Sequence, residues 1–207
     1  MSVIEQKASE PPQEEIIEKR FIGARELLAD SFRLGMQVYE SGFLPDFIVG
    51  VWRGGSPVGI AVQELLDYFG VHTDHIAIRT SLYSGINERR RRVRVHGLGY
   101  VLDSVNHDHN LLIVDDVWDS GRSIKAVIEK LREKGRRNAP EDIRVATVYF
   151  KPGMSKVEGR PDYFIHETDK WLVFPHELQG LTLEEISRKQ SIEGIRDKLE
   201  KYARKSG

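Results

Sequence analysis

Apolar residues along this chain recur first at helical spacing and then in short unbroken runs, and the two patterns alternate. Leu28, Phe32, Gly35, Met36 and Tyr39 fall on one stripe, which predicts an amphipathic helix that Gly42 can stop. Phe47-Ile48-Val49-Gly50-Val51 is a short apolar run that reads as a buried strand. Ser56 followed by Pro57 predicts a helix start, since a serine hydroxyl caps free N–H groups and proline suits the first helical position. Val58, Ala61, Val62, Leu65, Leu66 and Phe69 give that helix a buried face, and Gly70 ends it.

A further strand is expected from His75 to Ile78, ahead of a polar, arginine-rich segment over residues 81–94. Leu111-Leu112-Ile113-Val114 is apolar without alternation, as in a parallel strand covered on both faces. Ile124, Val127, Ile128 and Leu131 predict a helix closing near Gly135, and residues 145–150 predict another strand. Strand and helix in alternation specify an α/β fold, an open and mostly parallel sheet flanked by helices. Thr182 with Glu185 forms a capping-box pattern, and Ile192, Ile195, Leu199 and Tyr202 suggest a terminal amphipathic helix. The expected organisation is an N-terminal arm over residues 1–20, a domain over 21–180, and a helical extension over 181–207.

Composition narrows the class. At 207 residues, with 40% hydrophobic and 30% charged positions, the chain fits one soluble globular domain. A net charge of −1 gives no global pull toward nucleic acid or anionic membrane, so any basic site must be local. Zero cysteines exclude disulfides, thiolate metal sites and a cysteine nucleophile, and fit a reducing cytosol. No apolar run approaches the ~18–20 residues of a membrane span, and the N-terminus lacks a signal-peptide core. A soluble, cytoplasmic protein is expected.

The segment richest in chemistry is Leu112-Ile113-Val114-Asp115-Asp116-Val117-Trp118-Asp119-Ser120-Gly121-Arg122-Ser123. A buried strand here delivers two carboxylates at its carboxyl end, where open α/β sheets bind ligands. A loop of small polar residues then opens a helix. Free N–H groups at that helix start, with the Ser120 and Ser123 hydroxyls, suit a phosphate. Adjacent carboxylates beside a phosphate suit sugar hydroxyls and a hard cation such as magnesium. A lone Asp-Asp pair would be an ordinary solvated strand end; the coincidence of strand, acids and Ser-Gly-x-Ser makes the ligand reading the stronger one.

This stretch resembles the phosphoribosyl-pyrophosphate motif of the type I phosphoribosyltransferases, and it is closest to their hypoxanthine-guanine and xanthine-guanine branch. The resemblance implies that fold, with a small hood around residues 160–180, and a transferase joining a 6-oxopurine to 5-phosphoribosyl-1-pyrophosphate in purine salvage. It implies that Asp115 and Asp116 address the ribose hydroxyls and Mg2+, and that Asp119, Ser120, Gly121, Arg122 and Ser123 hold the 5′-phosphate. Asp119 would face N7 of the purine as the catalytic proton relay, beside Asp115 and Asp116. The alternative for Asp119 is a helix cap.

Arg53, Gly54 and Gly55 match the family's pyrophosphate loop, which often contains a cis peptide in purine members. Glycines let the backbone approach an anion, and arginine offers a forked donor. Lys151 in Tyr-Phe-Lys-Pro-Gly would donate to O6, which favours oxopurines over adenine. In Trp171-Leu172-Val173-Phe174-Pro175-His176-Glu177, Trp171 would stack on the base, the Leu172 main chain would contact its 2-position, and Glu177 would lie near a second magnesium. Val173 and His176 depart from the branch, which expects an acid and an aromatic there. Residues 81–94 correspond to a mobile loop, with Ser81-Leu82-Tyr83 at its start. His107-Asp108-His109 reads as a surface turn.

The competing expectation is a regulatory nucleotide-binding protein that uses the arginines of residues 89–94 on nucleic acid. Asp119, Lys151 and Trp171 argue against it, because a pure regulator has no need of a base-reading set. A transferase for another base, such as a pyrimidine, is a second competitor. By the same resemblance a homodimer or homotetramer is expected.

Overall fold

The computed structural model describes residues 18–83 and 92–203. A six-stranded sheet runs in the order β4-β3-β2-β5-β6-β7, formed by β2 (Phe47–Trp52), β3 (Asp74–Tyr83), β4 (Arg92–His96), β5 (Leu111–Trp118), β6 (Ile143–Phe150) and β7 (Tyr163–Glu167). Every neighbouring pair is parallel except β3–β4. The helices α1 (Ala24–Glu40), α2 (Gly55–Tyr68), α3 (Gly99–Ser104) and α4 (Arg122–Gly135) connect the strands. A separate two-stranded parallel ribbon pairs β1 (Lys19–Phe21) with β8 (Trp171–Val173).

The unbroken apolar run of β5 has a direct explanation. Leu112 and Val114 belong to a core shared with Leu34 and Val38 of α1 and Val58, Val62 and Leu66 of α2. Leu111 and Ile113, pointing the other way, join Val101, Ile124, Val127 and Leu131 of α3 and α4. All four strand residues are fully buried, so neither face can be polar. Each such side chain contributes roughly 1.5–3 kcal/mol by leaving water.

Helix α1 corrects the expected stripe. Its buried face is Leu27, Asp30, Ser31, Leu34, Gly35 and Val38, whereas Leu28 and Phe32 are exposed. The face carries two polar residues because both are satisfied: Asp30 binds His166 (2.7 Å) and Arg33 (2.7 Å), and Ser31 donates to the Leu27 carbonyl (2.7 Å). Gly35 allows close packing of α1 on α2: a Cβ there would press on the end of the Leu65 side chain, which would have to shift. Ser56 is not the cap of α2, which begins at Gly55 with Gly54 preceding it; the Ser56 hydroxyl is buried with no hydrogen-bond partner among the described residues.

The strand order reverses direction at the β2–β5 pair. From β2 the chain proceeds outward to β3, and from β5 it proceeds the other way through β6 to β7. The loops leaving β2 and β5 therefore part at the carboxyl edge and open a crevice between them, the place where open α/β sheets bind ligands.

Beyond residue 180 the capping box is present: Thr182 Oγ1 accepts from Glu185 N (3.2 Å) and Glu185 Oε2 from Thr182 N (2.9 Å), starting α5 (Leu183–Ser187). The terminal helix is shorter than expected. Gln190–Ile195 is 3-10, and α6 spans Arg196–Ala203; Ile192 is buried while Ile195 and Tyr202 are exposed. Among the described residues, no helix is long and apolar enough to cross a membrane.

Candidate active site

Three strand ends converge on the crevice. Arg53 follows β2, Asp119 follows β5 and Lys151 follows β6, and the strands are parallel and adjacent. The peptide bond joining Trp52 to Arg53 is cis. Gly54 and Gly55 then lie against the strand β5 carboxylates. A Cβ on Gly54 would overlap the Asp116 carboxylate, and one on Gly55 would overlap the Val114 carbonyl oxygen. The glycines are thus needed for the protein's own acids to fit beneath the loop, a constraint the sequence alone does not reveal.

Asp115 and Asp116 lie within β5 rather than after it. Asp116 is buried, and the Asp116 N–H donates to Asp115 Oδ1 (3.0 Å). Burial pushes Asp116 up to about 7, and the nearby Glu177 charge adds to the rise. The Asp115 carboxyl is raised well above the carboxylate range by desolvation and then by the Asp116 charge. His176 Nε2 stands 3.6 Å from Asp116 Oδ2, with its ring stacked on Phe174. Desolvation holds the His176 imidazole below its ordinary value, together with the Arg53 and Lys189 charges.

After Trp118 the loop turns sharply. Gly121 has φ +71°, and a Cβ there would strike the Trp118 indole and Val157. The indole is itself fixed, 5% exposed and donating to Ser155 Oγ (3.3 Å). A cavity of about 220 Å³ lies over this turn, lined by Asp115, Asp116, Asp119, Ser120, Gly121 and Ser123 at the start of α4. Free N–H groups and the positive dipole end of a helix at this position suit an anion.

A second cavity, about 290 Å³, shares the wall of Asp116, Val117 and Asp119. Lys151, Trp171, Leu172, Phe174 and Glu177 also line it. Lys151 is buried, and its Nζ lies 3.5 Å from Asp119 Oδ2, while its N–H donates to the Trp118 carbonyl (2.9 Å). Trp171 is 54% exposed, whereas Leu172 is buried. Glu177 Oε2 accepts from the Phe174 N–H (3.0 Å). Among the described residues, no group of three or more histidine, aspartate or glutamate side chains gathers as a metal cage.

The sequence-predicted residues thus fall into two adjoining chambers. Sequence reading missed Lys19, which the β1–β8 ribbon sets opposite Trp171 and on the second cavity, and Lys189, whose amine reaches the 174–177 turn. Neither lies in a motif, and no local signal marks them. The expected loop start Ser81-Leu82-Tyr83 is a strand paired with Arg92–Arg94, Ser81 standing opposite Arg94. Residues 84–91, which include Arg89, Arg90 and Arg91, lie outside the described residues. His107 and His109 sit in an exposed turn.

The profile of the phosphoribosyl transferase domain family matches residues 15–180, and the chain belongs to that family. Its fold is that of the type I phosphoribosyltransferases, near the hypoxanthine-guanine branch. The chain is 29% identical to the hypoxanthine-guanine phosphoribosyltransferase of Lactococcus lactis, over 71% of this chain and 75% of that protein. It is 28% identical to the bifunctional protein PyrR of Corynebacterium diphtheriae, over 63% of this chain and 70% of that one. It is also 28% identical to the transcriptional regulator GfcR of Methanobrevibacter smithii, over 68% and 69%. The crystal structure of a purine phosphoribosyltransferase from Pyrococcus horikoshii superposes with a TM-score of 0.60 at 27% identity, covering 79% of this chain and 97% of that one.

Proposed function

We propose that the protein is a magnesium-dependent transferase that forms a purine nucleoside 5′-monophosphate and pyrophosphate from a 6-oxopurine and 5-phosphoribosyl-1-pyrophosphate. The observation that carries this reading is the Lys151–Asp119 pair, 3.5 Å apart: Lys151 lines the second cavity, and Asp119 stands on the wall that cavity shares with the first. A cationic donor there meets the O6 acceptor of an oxopurine and rejects a 6-amino group, which is itself a donor. The carboxylate beside it can take the proton the purine loses as its nitrogen bonds to the sugar.

The remaining residues divide by chamber. The 5′-phosphate rests on the N–H groups and hydroxyls of residues 120–123. Arg53 with the Gly54 and Gly55 backbone holds the pyrophosphate. The bond from C1 of the ribose to pyrophosphate breaks as C1 gains the base nitrogen, and Asp115 and Asp116, beneath the sugar, stabilise the positive charge that develops on the ring. Trp171 covers the purine face, and the Leu172 main chain meets its 2-position.

Magnesium fits this donor set. The adjacent Asp115 and Asp116 carboxylates repel one another, Glu177 adds charge nearby, and all are oxygen donors that a hard cation neutralises. This cation commonly binds through one or two carboxylates and the substrate's phosphates, so it needs no cage built wholly from protein. Bound through Asp115 or Asp116, with Glu177 near a second ion, it would offset charge on the departing pyrophosphate.

The test is a panel of hypoxanthine, guanine, xanthine, adenine and uracil with phosphoribosyl pyrophosphate and Mg2+, read as pyrophosphate release. Turnover confined to the 6-oxopurines supports the reading, and turnover with uracil alone overturns it. The resemblance to a transcriptional regulator favours a second reading, in which the same pocket senses a nucleotide and the arginines of residues 89–94 bind nucleic acid. A salt-dependent gel shift with no turnover on any base would support that one.

A further inference from the structure

The family match ends at residue 180, yet the chain continues through α5 and the 3-10 segment into α6. This tail folds back onto the wall of the base-side cavity at two points. At the first, Lys189 is only 5% exposed, and its Nζ donates to the carbonyl oxygens of Phe174 (2.6 Å) and Glu177 (2.5 Å). These are the first and last residues of one turn, which the Glu177 N–H closes onto the Phe174 carbonyl (3.0 Å). At the second, Glu185 Oε1 lies 2.6 Å from Nζ of Lys19, the cavity residue paired with Trp171.

Burying an ammonium is costly, because it gives up strong hydration, and it persists only where its hydrogens find acceptors. A tail that merely packed would present an apolar side chain here, as Ile192 does three residues further on. Lys189 instead commits its charge to two main-chain carbonyls of the turn that carries Phe174, His176 and Glu177. Its amine bridges both ends of that turn, so the turn's geometry is set from outside the family domain. Among the described residues, the lining of the phosphate chamber runs from Asp115 to Ile124 and includes no residue of the tail.

We propose that Lys189 is a positioning residue that staples the 174–177 turn from the C-terminal tail and so fixes the rim of the base chamber against Trp171. The consequence for the reaction rests on the proposed transferase function; the staple itself does not. Base recognition then depends on the tail, while the 120–123 loop proposed to hold the 5′-phosphate does not.

The test uses the full chain with Lys189→Met, which keeps the stem and removes the amine, and Lys189→Arg, which keeps donors. Amide hydrogen exchange is followed in peptides covering residues 171–178 and 111–121, and KM is measured separately for guanine and for phosphoribosyl pyrophosphate. In Lys189→Met we expect exchange in 171–178 to quicken about tenfold with 111–121 unchanged, and base KM to rise about tenfold, more than the KM for phosphoribosyl pyrophosphate. Lys189→Arg should recover part of both. Unchanged exchange in 171–178, or an equal quickening in 111–121, overturns the staple. If wild-type protein turns over no base, the transferase reading fails, and the exchange result still decides the role of Lys189.

Discussion

The two chambers share a wall but are built in opposite ways. The phosphate chamber comes from one continuous stretch, residues 115–124, braced by a glycine pair so close that any side chain at Gly54 would meet the Asp116 carboxylate. The base chamber is assembled from β1, the end of β6, β8, the following turn and, through Lys189, the tail. A site made from contiguous chain is positioned by local backbone geometry. A site made from segments distant in sequence is positioned by their packing, and can vary as those segments vary. The split suits a family whose members share a phosphoribosyl donor and differ in the acceptor.

The largest effect is expected where the chambers meet. Asp119→Asn keeps the size of the side chain and removes its capacity to carry a proton. Turnover should fall about 10²–10⁴-fold, the usual contribution of a general acid–base group. Affinity for phosphoribosyl pyrophosphate should barely change, because residues 120–123 and Arg53 do not depend on that side chain. The Asp119 side chain is half exposed, so thermal stability should be nearly wild type. Near-normal turnover in a folded variant would assign Asp119 to the loop alone and remove the main reason for preferring a purine over a pyrimidine.

A second break falls inside the phosphate chamber. The Asp116 carboxyl is held up to about 7 in the fold, against 3.8 for the ordinary group, chiefly by burial. A raised carboxyl stabilises the fold while protonated: the contribution is complete below about pH 4 and is lost as pH rises through about 7. Asp116→Asn stays neutral throughout. In metal-free protein the variant should therefore gain on wild type by about 2–4 kcal/mol between pH 5 and pH 8, since a tenfold change in proton affinity corresponds to about 1.4 kcal/mol. Urea unfolding at the two pH values measures this. A difference that does not move with pH would show that Asp116 ionises normally, and the chamber would then lack the strained charge that makes it receptive to a cation.

The same contrast governs what can be read from the sequence. The motif from Leu112 to Ser123 is legible because strand, acids and loop are consecutive, and Arg53 and Lys151 are legible because each follows an apolar run. Strands β1 and β8 have three residues each and carry no periodic signal. Strand β4 alternates Arg-Val-Arg-Val-His, a strand pattern that reads as a charge run because its polar face is arginine. The stripe of α1 is displaced because Asp30 and Ser31 are buried with their partners, and His166 lies 136 positions away. Lys189 sits in a polar stretch that resembles any solvated tail. In each case the missing information is a long-range contact, which hydrophobic periodicity does not encode.

The smallest predicted effect tests the base chamber by itself. Trp171 is 54% exposed, contributes to a ribbon of three residue pairs, and lines the cavity. A stacked base contributes ~1–3 kcal/mol; for a half-exposed indole the lower part, about 1–2 kcal/mol, applies, so Trp171→Ala should raise the KM for guanine roughly 5- to 30-fold. Trp171→Phe should fall between the two, since a smaller ring still offers a face. The KM for phosphoribosyl pyrophosphate should not respond, because no residue of β8 lines the phosphate chamber. Thermal stability should drop little, because an exposed indole gives up little burial when it is removed. If the two KM values rise together, or if only stability falls, Trp171 is a ribbon residue rather than a lid on the base, and the chambers are coupled through β8 after all.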